Sequence, residues 1–170
     1  MEINKNTPYY IVTILLFLGL RYVYTQATTE DVLLLLAPTS KIVSLLIGAN
    51  MEYSPQNGYF FPALSIVINK SCSGFTFWLV TFTLLLFTRL QYYESHFSKI
   101  LLFAKAAILV YLLTIVANAS RILFAVKINQ LFPILHQKYA WLHETQGNII
   151  YLAVLIAFYL SLRQWRTQPY

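Results

Sequence analysis

Four long segments dominated by apolar residues constrain what this chain can fold into. They cover residues 9–24, 75–87, 100–117 and 148–162. A helix of roughly 20 mostly apolar residues crosses the hydrocarbon core of a bilayer. Only 11% of the residues are charged, whereas soluble domains carry about 25%. The sequence therefore predicts an all-α membrane protein, a polytopic bundle with four transmembrane spans in a single domain, 1–170.

The basic residues of the chain favour a membrane location over binding to nucleic acid. The net charge is +6, but the Lys and Arg residues are scattered between the apolar segments. That pattern is typical of charges that flank transmembrane helices. With both termini in the cytoplasm, Arg89, Lys99, Arg163 and Arg166 lie on the inner side, as the positive-inside rule favours. We expect a multi-pass protein that lies in the lipid bilayer and does not bind nucleic acid.

Residues 32–48 form a fifth apolar segment, which polar residues and a proline interrupt. Pro38, Ser40 and Lys41 lie near its middle. A proline removes a backbone donor and kinks or ends a helix. The pattern favours two short helices lying in the membrane interface, with a broken transmembrane helix as the alternative.

The segment before the cysteine has the pattern of a small hairpin outside the lipid. Residues 54–58 read Ser-Pro-Gln-Asn-Gly, a strong turn signal, and aromatic residues follow at 59–61. Leu64, Ile66 and Ile68 then alternate with other residues, which indicates an extended strand. Irregular backbone is costly in hydrocarbon, so the hairpin is predicted outside the lipid. With both termini in the cytoplasm, it lies on the extracytoplasmic side.

Cys72 is the only cysteine of the chain. An intramolecular disulfide and a zinc site of several cysteines are therefore excluded. The residue lies between Ser71 and the pair Ser73 and Gly74, directly before an apolar helix. Either serine could cap that helix, and the positive end of the helix dipole favours the nucleophilic thiolate. The alternative is an inert cysteine that fills space in the bundle.

Arg121 and His143 are predicted at the same membrane face as Cys72. Arg121 ends the third span and could donate hydrogen bonds to an oxyanion or clamp a carboxylate. Asn118, three residues earlier, shares its helix face and could orient Arg121 or His143. His143 precedes the fourth span and could act as the general base. The alternatives are an arginine that reaches lipid phosphates and a structural histidine.

A metal site is not expected. His136, His143 and Cys72 match no standard zinc spacing. The H-E-x-x-H pattern of a membrane metalloprotease is absent. No cofactor is predicted for this chain.

Three short motifs, in this order along the chain, resemble those of the exosortase/archaeosortase family. They are Ser71-Cys72-Ser73-Gly74, Asn118-Ala119-Ser120-Arg121-Ile122, and His143 with Gly147. The resemblance covers residues 33–162 and is closest to the short exosortase K-type branch, since many members have more spans. It implies a membrane cysteine transpeptidase or endopeptidase.

The resemblance also implies a role for each residue and a class of substrate. Cys72 would be the nucleophile, Arg121 the stabilising cation and His143 the acid and base. Such enzymes process surface-destined proteins that end in a sorting signal: a short motif such as Pro-Glu-Pro, a transmembrane helix and a basic tail. The active site would face the extracytoplasmic side of the cytoplasmic membrane of a prokaryote. Water or an amine would resolve a thioester intermediate.

A non-catalytic membrane protein is the main competing interpretation. An assembly subunit or small transporter would have no need to bring Cys72, Arg121 and His143 together. Transporters commonly contain inverted repeats, and none is visible in the sequence.

Overall fold

Five helices and a small antiparallel sheet form the described part of the chain. The computed structural model describes residues 5–131 and 141–164, and side chains in the second range from residue 145 onward. The helices are α1 (Thr7–Gln26), α2 (Leu33–Ile47), α3 (Phe75–Arg89), α4 (His96–Leu131) and α5 (Trp141–Gln164). The strands are β1 (Glu52–Ser54), β2 (Gly58–Phe61) and β3 (Ile66–Ile68).

Four helical segments among the described residues are long and apolar enough to cross a membrane. They are Thr7–Gln26, Lys70–Tyr92, His96–Leu131 and Thr145–Gln164. Large apolar side chains on α1 and α5 point outward, and Leu15 is 62% exposed. An apolar exterior of this kind suits contact with lipid rather than water. The prediction of four apolar helices long enough to cross a membrane is therefore confirmed.

The longest helix, α4, is the centre of the bundle. It packs against α2, α3 and α5, while α1 packs against α3. A core of buried apolar residues joins α3 and the turn after it to α4: Phe82, Leu85, Leu86, Leu90, Leu102, Ala106 and Val110. The predicted third span, residues 100–117, is part of one longer helix that continues to Leu131.

The prediction of two short helices for residues 32–48 is wrong. A single helix, α2, occupies Leu33–Ile47, with Pro38 inside it and a 3-10 turn at Glu30–Val32 before it. Its 15 residues extend about 22 Å at 1.5 Å per residue. Leu36 and Val43 are fully buried, so packing against α4 stabilises the helix despite the proline.

A tyrosine from α4 supplies the hydrogen bond that Pro38 cannot make. In a regular helix the amide of residue 38 would donate to the carbonyl of Leu34, but proline has no N–H. The hydroxyl of Tyr111 donates to that carbonyl at 2.9 Å. A side chain of the neighbouring helix therefore satisfies the acceptor, which lets α2 continue through the proline.

The hairpin predicted before Cys72 is present, and the predicted extended strand pairs with it as the third strand of a sheet. The three strands pair antiparallel in the order β1-β2-β3. The predicted extended strand is shorter than expected, because Leu64 lies in a 3-10 turn, Pro62–Leu64, and Ser65 has a left-handed backbone. Only Ile66–Ile68 is extended.

The inner face of the sheet packs against the helices. Phe61 and Ile68 are almost fully buried. They belong to a second core that combines sheet, α2 and α4: Val32, Leu36, Val43, Phe61, Ile68, Ala119 and Ile122. This core fixes the sheet beside the segment that carries Cys72.

Replacing Tyr111 with Phe should destabilise the protein by about 0.5–1.5 kcal/mol, because the Leu34 carbonyl loses its donor. In a Pro38→Ala background the amide of residue 38 can donate instead, so the same change should cost close to nothing. The measurement is unfolding in detergent micelles for the four members of this double-mutant cycle. Tyr22→Phe, at a tyrosine that is 70% exposed, is the control. Equal costs in both backgrounds would rule out this compensation.

Candidate active site

A short 3-10 turn, Lys70–Cys72, carries the cysteine into α3. The amide of Cys72 donates to the carbonyl of Asn69 at 2.8 Å. The side-chain oxygen of Asn69 accepts from both the amide and the hydroxyl of Ser71, at 3.1 and 2.8 Å. Asn69, the residue before the turn, therefore stabilises it from its N-terminal side. The Cys72 side chain is partly exposed, with its Sγ 3.8 Å from the Ser71 hydroxyl oxygen.

The end of α1 holds this turn from the other side. The hydroxyl of Tyr24 donates to the carbonyl of Lys70 at 2.9 Å and lies 3.2 Å from the Ser73 hydroxyl. Its ring stacks on Phe75 with 4.6 Å between centroids. The ammonium of Lys70 donates to the carbonyl of Ala27 at 2.6 Å, just after α1 ends, where the helix dipole favours a positive charge. The C-terminal end of α1 thus positions the cysteine.

One of the two serines proposed as helix caps contributes to the start of α3. The hydroxyl of Ser73 accepts a hydrogen bond from the amide of Phe75, at 3.3 Å. Ser71 does not reach the helix, because its hydroxyl is bonded to Asn69. The N-cap position itself is occupied by Gly74.

Gly74 permits a turn and a close helix contact that another residue would disturb. Its φ of +72° lies in the left-handed region, which side chains disfavour. A Cβ at this position would lie 3.1 Å from Thr114 and 3.2 Å from the hydroxyl of Tyr151. The glycine therefore lets α4 and α5 approach the turn that carries Cys72.

A chain of hydrogen bonds connects the turn to Arg121. The side-chain amide of Asn118 donates to the carbonyl of Cys72. Its oxygen accepts from the hydroxyl of Tyr151 at 2.7 Å. That hydroxyl in turn accepts from the guanidinium of Arg121 at 3.4 Å. Asn118 is fully buried, so each of these polar groups needs its partner.

The contacts of Asn118 show how it reaches the other residues of the site. It binds the backbone of Cys72 and is connected to Arg121 through Tyr151, while a role in orienting His143 stays a prediction. The three-residue spacing does place it on the same side of α4 as Arg121, as predicted.

Arg121 lies within α4 rather than at its end, because the helix continues to Leu131. Its guanidinium carbon is 5.2 Å from the centroid of the Tyr151 ring, a cation–π distance. Gly147 of α5 is buried against it, since a Cβ at that position would overlap the Arg121 side chain. α5 thus determines where the guanidinium lies.

Cys72 and Arg121 line one small cavity of about 70 Å³. Its other lining residues are mostly apolar and come from β3 and α4: Ile66, Val67, Ile68, Ile122, Ala125, Val126 and Asn129. A thiol and a guanidinium that line the same apolar cavity can combine a nucleophile with a donor for a developing oxyanion. The two predicted residues are therefore brought together.

The backbone of His143 lies in the first turn of α5, which begins earlier than predicted, at Trp141. Its side chain falls outside what the structure describes, so the position of the imidazole stays a prediction. Positions 143, 147 and 151 are each four residues apart, which places them on one helix face. Gly147 and Tyr151 on that face both contact Arg121. His136 lies outside the described residues.

The sequence alone did not identify four residues of the site: Tyr24, Asn69, Lys70 and Tyr151. The spacing of four residues from His143 through Gly147 could have identified Tyr151. Tyr24 and Lys70 are far apart in sequence from each other, and no local pattern indicates that they meet.

Neither a cluster of metal ligands nor a related protein indicates a function for this site. Within the two described ranges, no three His, Cys, Asp or Glu side chains group as ligands for a metal ion. Comparisons of the chain with protein-family models, curated proteins and solved structures find no match. Function is therefore inferred from the chemistry of the residues around Cys72.

Proposed function

We propose that this protein is a membrane-embedded cysteine transpeptidase or endopeptidase, similar in activity to the exosortase/archaeosortase family that its motifs resemble. It cleaves the C-terminal sorting signals of surface-destined proteins. Its site faces the outer side of the cytoplasmic membrane of a prokaryote. Its substrates are membrane-anchored proteins that end in a short motif, a transmembrane helix and a basic tail.

The observation that carries this proposal is the shared cavity of Cys72 and Arg121. The two residues are 49 positions apart in sequence (121 − 72) and lie on different helical elements. The hydrogen bonds through Asn118 and Tyr151 connect them. An inert packing cysteine needs no such arrangement, whereas a nucleophile needs a cation close to the oxyanion that it creates.

The reaction begins when His143 takes the proton of the Cys72 thiol and the thiolate attacks the carbonyl carbon of the scissile peptide bond. The π electrons of the carbonyl move to its oxygen, and Arg121 stabilises the negative charge. Collapse of this intermediate breaks the C–N bond, and His143 gives its proton to the leaving amine. Water or an acceptor amine then attacks the thioester, and His143 removes the proton of this nucleophile. The C–S bond breaks, and the sulfur of Cys72 regains the proton from His143.

A second cavity supports the docking of a substrate helix beside the site. It has a volume of about 450 Å³ and lies between α3 and α5. Its lining is apolar at Val80, Leu152 and Leu155 and polar at Ser71, the residue before the cysteine, and at Arg121. A substrate helix packed along this groove would bring the segment next to it close to the turn that carries Cys72.

Replacing Cys72 with Ala should reduce processing of a tail-anchored reporter to background, because the nucleophile is lost. The reporter ends in a Pro-Glu-Pro-type motif, a transmembrane helix and a basic tail, and it is co-expressed with the protein. The mass of the released product measures cleavage. Membrane fractionation checks that the variant still inserts.

Ser161→Ala is the control, because it removes an exposed hydroxyl near the other end of α5 that donates to the carbonyl of Ala157. It should keep most of the activity. Normal processing by the Cys72→Ala variant would eliminate the enzymatic function, and a non-catalytic membrane subunit would then be favoured.

Replacing Gly147 with Ala should slow processing by about 10- to 100-fold, since a displacement near 1 Å can cost this much. The added methyl group overlaps the side chain of Arg121, and a flexible arginine can move away without unfolding the bundle. Single-turnover rates should therefore fall while the unfolding temperature stays within a few degrees.

Gly19→Ala provides the control for this glycine, because a Cβ at position 19 meets no atom within 4 Å. It should leave the rate unchanged and raise the stability by about 1 kcal/mol at most, the ordinary gain of alanine over glycine inside a helix. An unaltered rate in the Gly147 variant would show that the position of the guanidinium is unimportant for turnover.

A further inference from the structure

The outer edge of β3 is an open strand edge among the residues that the structure describes. The sheet order β1-β2-β3 makes β3 a terminal strand, and its described pairing is with β2 alone. A strand at the end of a sheet presents unpaired N–H and C=O groups to its surroundings. Another extended chain can use those groups as hydrogen-bond partners.

This edge lies at the candidate active site. All three residues of β3 line the cavity that Cys72 and Arg121 share. The strand ends at Ile68, and only Asn69 separates it from the turn that carries the cysteine. A chain paired with β3 would lie about 4.8 Å from it, beside the thiol.

We infer that the cleavage-site segment of the substrate binds in extended form as a fourth strand on β3. This inference rests on the proposed function and assigns the surface that presents the scissile bond to Cys72. The occupant is a polypeptide, because only a polypeptide repeats N–H and C=O groups at the spacing of a strand. A lipid headgroup or an acyl chain has no such repeat.

Strand addition also provides hydrogen-bond partners for the substrate backbone at the point where the chain leaves the membrane. A chain that emerges from a transmembrane helix loses its internal hydrogen bonds, and unpaired backbone groups are costly near hydrocarbon. The edge of β3 offers partners at that point. The cleavage-site segment is thereby held straight and accessible to the thiol.

The cavity adds a preference for one apolar side chain. Ile66 and Ile68 point to the inner face of the sheet, where Ile122 and Val126 of α4 complete the lining. On an added strand, alternate residues face the same side. One residue next to the scissile bond should therefore be aliphatic and insert into this cavity.

Disulfide trapping tests the pairing, because three residues form a row across the outer face of the sheet. Glu52 of β1, Phe60 of β2 and Val67 of β3 are direct cross-strand neighbours, and all are exposed. In a Cys72→Ala background each is replaced by Cys, which makes it the single cysteine of the chain. The probe is the tail-anchored reporter, with single cysteines scanned through eight positions around its cleavage site.

The Val67→Cys variant should form disulfides with reporter positions that alternate, at least fivefold above their neighbours. Residues opposite Val67 lie within disulfide reach, whereas their immediate neighbours face the other side. The Phe60→Cys and Glu52→Cys variants should give only background, since they lie farther from the added strand. Wild-type cleavage of the same reporters is measured in parallel.

The outcomes separate the two proposals. Cleavage with alternating cross-links at position 67 supports both. Cleavage with uniform cross-links, or with equal cross-links from positions 52 and 60, overturns strand addition alone. Alternating cross-links without wild-type cleavage support the docking surface and refute the proposed reaction. Absence of both cleavage and cross-links refutes both.

Discussion

The chain of hydrogen bonds from the Cys72 carbonyl through Asn118 and Tyr151 to Arg121 determines how the bundle is arranged around the cysteine. In apolar surroundings a buried amide or guanidinium without a partner is costly. The chain removes this cost and connects the start of α3, the middle of α4 and the first turns of α5. Packing at Gly74 and Gly147 permits the necessary close approach.

Contacts from the end of α1 and from the sheet also position the turn that carries the cysteine. Tyr24 and Lys70 connect the end of α1 to the cysteine turn, while the sheet packs on α2 and α4 through Phe61 and Ile68. The cysteine is therefore held by elements from the whole length of the described chain. α2 contributes to this core and continues through its proline, because the hydroxyl of Tyr111 donates to the carbonyl that the missing amide of Pro38 leaves free.

Short sequence patterns predicted the features that depend on residues close together in the chain. Apolar length predicted the four spans, and Asn57-Gly58 predicted the hairpin before Cys72. The break in α2 was predicted wrongly, because a tyrosine 73 residues after Pro38 (111 − 38) compensates for it. Tyr24 and Lys70 were missed for the same reason, since their roles come from contacts between distant segments. The meeting of Cys72 with Arg121 was expected from their predicted membrane depth.

The most direct test of the account is to look for the acyl-enzyme on Cys72. The purified protein is mixed with the tail-anchored reporter in detergent, quenched in acid and analysed by peptide mass spectrometry. We expect Cys72 to carry the reporter segment that precedes the cleavage site, as an adduct that hydroxylamine removes. Cleavage of the reporter with Cys72 unmodified throughout, or with the adduct on another residue, would contradict the account.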